Sequence, residues 1–89
     1  MTLSQRDLDL LISLLKQFAV GENQSRELVQ EIDNLLTEAF PEGTGFPDRA
    51  AFEELEVAAA CYRPGGGQFM YDEDQMVAVC AAVLARIAL

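Results

Sequence analysis

SQRDLDLLISLLKQFAVGENQS, residues 4–25, is the stretch that decides the fold. Within it Leu8, Leu11, Ile12, Leu15, Phe18 and Ala19 recur at the three- and four-residue spacing that places side chains on one face of a helix. Leu10 and Leu14 widen this apolar stripe, so the helix is expected to sit deep in its fold. Arg6, Asp9, Lys16 and Gln17 are left for water. Ser4, with Asp7 three residues on, makes a capping pair, and Gly21 supplies the usual ending. Just beyond it, Asn23 and Ser25 can each cap a second helix.

Working outward, Leu28, Ile32, Leu35, Leu36 and Ala39 form the stripe of that second helix, with Val29 and Phe40 at its borders. Glu27, Glu31, Asp33 and Glu38 occupy the other side, and Pro41 stops the helix. Residues 41–47 make the longest loop. Asp48 then caps a third helix whose core stripe is Phe52, Leu55, Ala59 and Tyr62. Glu53 points away from that stripe, and Glu54 and Glu56 flank it. Arg63-Pro64-Gly65-Gly66-Gly67 breaks the chain, as a flexible turn between antiparallel helices. Asp72 pairs with Gln75 to cap the last helix, whose core face is Met76, Val79, Val83, Leu84 and Ile87. Asp72, Glu73 and Asp74 crowd its first turn, where the helix dipole favours negative charge. No alternating β-branched run and no internal repeat interrupts this order. The expectation is an all-α, antiparallel four-helix bundle in a single domain, residues 1–89, with helices over about 4–20, 24–40, 48–62 and 72–88.

The bulk composition agrees. Eighty-nine residues are too few to divide between two cores. A hydrophobic fraction of 51% is ample for one core and excludes a disordered acidic tail. Fifteen acidic residues against six basic ones give a net charge of −9. That sign repels nucleic acid and anionic membrane and speeds encounter with cationic proteins. No segment approaches the roughly 20 apolar residues that span a bilayer. Asp7 and Asp9 inside the first apolar stretch argue against a signal peptide. Cys61 and Cys80 lie in alanine- and valine-rich runs and are expected to be reduced thiols of a cytoplasmic protein.

The residues of catalysis are sparse. The chain has no histidine, which removes the usual general base and the commonest metal ligand. The triple glycine lacks the lysine of a phosphate loop and leads into an acidic helix start. Neither cysteine has an evident activating base. Glu53, Glu54 and Glu56 fit no calcium-loop spacing. We therefore expect a binding protein and not an enzyme, without cofactor or metal.

Three stretches carry a family resemblance. Residues 14–28 pair a leucine-rich helix end with a glycine turn and a second helix opening on acid-then-apolar Glu27-Leu28. Residues 52–64 form a glutamate-leucine-alanine helix closed by Tyr62, one residue and Pro64. Tyr71-Asp72-Glu73-Asp74-Gln75-Met76 is an aromatic-then-acidic opening of the last helix. In this order, over most of the chain, they resemble the colicin D-type immunity family, the bacterial self-protective colicin-like immunity proteins. The resemblance implies a four-helix immunity protein that binds the catalytic domain of a cognate nuclease toxin, a tRNA-cleaving ribonuclease in that family. There, acidic groups occupy the place of RNA phosphates. One departure matters. The family sets acids just before its aromatic and just after its proline, where this chain has Cys61 and Gly65, so other acids must make those contacts.

Tyr71, Asp72, Glu73 and Asp74 are the best candidates, joining three carboxylates to an aromatic of the kind enriched at hot spots. Glu53 and Glu56 form a second group, and Arg63, in the adjoining loop, is placed to pair with one of these acids and hold the cluster. Capping and ordinary solvation are the competing explanations of the same residues. The expected partner is a cognate basic nuclease toxin, with no direct contact to nucleic acid or membrane, the free chain being a monomer or weak dimer. A phage-type inhibitor or nucleic-acid mimic needs the same acidity. A structural adaptor needs none of it.

Overall fold

The computed structural model describes residues 5–87 of the chain. These form helices α1 (Gln5–Ala19), α2 (Arg26–Ala39), α3 (Arg49–Cys61) and α4 (Glu73–Ile87), with a single 3-10 turn over Pro41–Gly43. The capping role expected of Ser4 lies outside the described residues.

Three helix ends have a clear local cause. Gly21, at φ +81, closes α1. The Glu22 N–H donates to the Gln17 carbonyl at 3.0 Å and the Gly21 N–H to that of Phe18 at 3.1 Å, the paired bonds of a Schellman ending. Of the two expected caps of α2, Ser25 takes the role, its Oγ accepting from the Leu28 N–H at 3.1 Å. Asn23 supports it by accepting from the Ser25 N–H. Asp48 caps α3 by accepting from the Ala51 N–H at 2.9 Å.

Contacts between helix ends fix the topology. Phe18, ending α1, packs edge-on against Tyr62, just past α3, with ring centroids 5.2 Å apart. The Tyr62 hydroxyl reaches the Gln24 carbonyl just before α2. At the opposite end, Arg86 in the last turn of α4 pairs with Asp48 at the start of α3. Successive helices therefore run antiparallel. Each packs on its chain neighbours, and α4 closes on α1.

The interior holds Leu11, Leu15 and Phe18 of α1, Ile32 and Leu36 of α2, Phe52 and Leu55 of α3, and Met76, Cys80 and Val83 of α4. Burial of each large apolar side chain contributes about 1.5–3 kcal/mol. Some details differ from the helical-wheel expectation. Val29 and Phe40 are core residues, not border ones, and Ala58 rather than Ala59 lies fully inside. Leu10, expected to deepen α1, is 50% exposed, because the α1–α2 seam is shallow there.

The segment 41–47, expected to be the longest loop, sends Phe46 into the core. Gly43 and Thr44 donate backbone bonds to Phe40 and Pro41 at 2.8 and 2.9 Å. Phe46 is thereby inserted between the rings of Phe40 and Phe52, at 5.1 and 5.3 Å. Gly43 sits at φ +80, and a Cβ there would come within 3.0 Å of the Phe52 ring.

Candidate partner-binding surface

Between α3 and α4 the chain makes a tight excursion, residues 62–72, held at both of its ends. The Tyr71 N–H donates to the Cys61 carbonyl and the Arg63 N–H to the Tyr71 carbonyl, each at 2.9 Å. Inside this bridge, Gly66 donates to Arg63 at 2.8 Å and Met70 to Gly67 at 3.1 Å. Gly66, at φ +76, packs so close to Asp72 that an added Cβ would stand 3.0 Å from the Asp72 Cβ. The run read as a flexible turn is thus tied down by hydrogen bonds.

Two of the candidate acids do the tying. Asp72 and Gln75 make a reciprocal capping box: the Gln75 N–H donates to Asp72 Oδ1, and the Asp72 N–H to Gln75 Oε1, each at 2.9 Å. Glu73 accepts the Gly65 N–H on both carboxylate oxygens at 3.0 Å. A local structural role therefore accounts for Asp72 and Glu73. Asp74 is exposed, and no hydrogen bond or ion pair holds its side chain among the described residues. Tyr71 is half-buried, packed against the core.

Arg63 shares this loop, with its Cδ placed so that a Cβ on Gly67 would lie 4.0 Å away. The ion pair expected between Arg63 and the acids is not formed among the described residues. Glu53 and Glu56 are exposed on α3 and do not join the loop. Glu53 lies eight residues before the end of α3, about 12 Å along the helix axis. It is engaged by Arg49 at 3.1 Å, with both side chains more than half exposed, a pairing worth less than about 1 kcal/mol.

A residue that the helical periodicities passed over stands out here. Phe69 is 88% exposed and takes φ +64, a conformation that is an outlier for a bulky residue. Such strain costs on the order of 1–3 kcal/mol and persists where surrounding structure imposes it. The signal available in the sequence was the apolar trio Phe69-Met70-Tyr71, one residue after three glycines, in a segment too short for another helix.

The Tyr62 phenol is held above its ordinary pKa by burial first, then by the charges of Glu73 and Asp72. Cys80 is buried, which pushes its thiol up to about 12. Cys61 and Cys80 are free thiols. Among the described residues no three His, Cys, Asp or Glu side chains converge as a metal site, and no helix is long and apolar enough to cross a membrane. The arrangement offers an aromatic projection beside carboxylates, a surface suited to contact. No protein-family model, curated protein or solved structure matches the chain.

Proposed function

We propose that this chain is an immunity-type inhibitor, binding the catalytic domain of a cognate basic nuclease toxin, a tRNA-cleaving ribonuclease by family resemblance, and covering its active-site cleft. The observation that supports this best is Phe69, projecting from a pinned loop beside the acidic start of α4. An exposed aromatic on an ordered support loses little entropy on docking, and such residues dominate binding energy at interfaces. The carboxylates around it suit a partner whose cleft is basic because it must hold phosphate. Asp74 is the close acidic contact beside Phe69 in this reading, Glu56 a separate contact on α3, and Tyr71 supports the loop. Asp72 and Glu73 shape the surface without meeting the partner. Glu27, Glu31 and Glu38 add a field that speeds encounter. The protein works by binding alone, in the cytoplasm, and catalyses nothing.

Co-expression tests the proposal. The chain should protect cells that express the toxic product of an adjacent reading frame, and the two proteins should co-purify. Failure to protect against that product, with the chain folded and abundant, would end the immunity reading.

A further inference from the structure

The seam between α1 and α2 carries a shallow groove, lined by Leu10 and Leu14 of α1 and by Glu31, Asn34, Leu35 and Glu38 of α2, with a volume of about 250 Å³. Its floor is apolar: Leu10 is half exposed, and Leu35 only partly covered. Its α2 wall is acidic, and no Lys or Arg lines it. Glu31 and Glu38 are seven residues apart on one helix, so their carboxylates rise from the same face about 10.5 Å from each other. Glu27 continues the stripe one turn earlier, and Asn34 between the two acids is steadied by the Gln30 side-chain amide at 3.1 Å.

From this groove we infer a second docking surface, whose occupant is an amphipathic helix of a protein partner with leucine-like residues on one face and Lys or Arg along its flank. Two basic residues seven apart on that helix repeat the Glu31–Glu38 spacing. The apolar residues between them fall over Leu10, Leu14 and Leu35, the helix-in-groove mode of recognition. A second copy of this chain is the wrong occupant, since at a net charge of −9 it would bring like charges together. Anionic membrane and nucleic acid fail for the same reason. The inference rests on the shape and charge of this seam, on a different helix pair from the Phe69 loop, and stands or falls apart from the nuclease-toxin proposal.

A synthetic helical peptide with Leu on one face and Lys on the others is the probe, titrated against the full chain by fluorescence anisotropy. Its counterpart with every Leu replaced by Ser carries the same charge without the apolar face. The Leu/Lys peptide should bind and the Ser/Lys peptide should bind at least roughly tenfold more weakly. Leu10→Asn, and separately the pair Glu31→Gln with Glu38→Gln, should each weaken the Leu/Lys peptide by about tenfold. Glu22→Gln with Glu54→Gln removes equal charge from exposed positions outside the groove and should change binding by less than about twofold. In NMR spectra the Asn34 side-chain amide should shift on titration. Leu10→Ala serves beside Leu10→Asn, so that a folding defect in one variant does not obscure the result. Equal tightness for the two peptides, equal weakening by the Glu22–Glu54 control pair, or indifference to both Leu10 variants would overturn the inference.

Discussion

The Tyr62 hydroxyl donates to the Gln24 carbonyl at 2.6 Å, joining the end of α3 to the connection before α2. The two residues are 38 positions apart, and the ring that carries the hydroxyl also packs edge-on against Phe18 of α1. One side chain thus ties three helices at the end of the bundle that carries the Phe69 loop. Tyr62→Phe keeps the ring and removes the bond, leaving a part-buried carbonyl short of a donor. Denaturant unfolding should show a loss of about 1–2 kcal/mol, with the helical content of the folded state unchanged.

The same phenol makes the bundle sensitive to alkali. Its folded pKa is raised, chiefly by burial, above the ordinary value of 10.0, and that of Cys80 is raised from 9.0 to about 12. A raised folded pKa means that the protonated group stabilises the fold. That contribution is whole below the unfolded pKa and disappears as pH climbs through the folded one. The melting temperature should therefore fall steadily from about pH 9 upward, with the fall shallower in Tyr62→Phe. Thiol labelling at pH 8 should modify Cys61, which is partly exposed, well before Cys80, which is fully buried.

Much of the fold was legible because its signals are local. The apolar stripes, Ser25, Asp48, the Asp72–Gln75 pair and Gly21 each act within a few residues of their own position, so sequence spacing carries them. What was not legible depends on where the chain returns in space. Phe46 is a core residue only because the turn at Pro41–Gly43 swings it between Phe40 and Phe52. Leu10 belongs to the apolar stripe of α1 yet stands half in solvent, in the shallow groove it forms with Glu31, Asn34, Leu35 and Glu38 of α2. The candidate acids were legible as a cluster but not as separate roles. Spacing could not tell that Glu73 would bend back to the Gly65 N–H, or that Arg63 would leave the acids alone.

Those separate roles can be told apart by substitution. Asp72→Ala removes the capping box and should lower stability by about 1 kcal/mol. Asp74→Asn should leave stability within about 0.5 kcal/mol, as expected at an exposed site without partners. If Asp74 meets the partner, its variant should nonetheless weaken binding and flatten its dependence on salt. Equilibrium unfolding and binding at two salt concentrations, run on both variants, read the difference.

Phe69 gives the sharpest test, because stability and binding should move in opposite directions. Asn tolerates a positive φ far better than Phe, and an aromatic 88% exposed contributes little packing to the fold. Phe69→Asn should therefore raise stability by roughly 0.5–1 kcal/mol through relief of strain. Binding to the toxin domain should weaken by about 2 kcal/mol or more, the loss that marks an interface hot spot. Gly66→Ala is the counterpart: its added Cβ would press on Asp72 at φ +76. That strain should destabilise the chain by about 1–3 kcal/mol and disturb the support under Phe69. A Phe69→Asn variant that loses stability while keeping full affinity would mean that the ring serves the fold and not a partner.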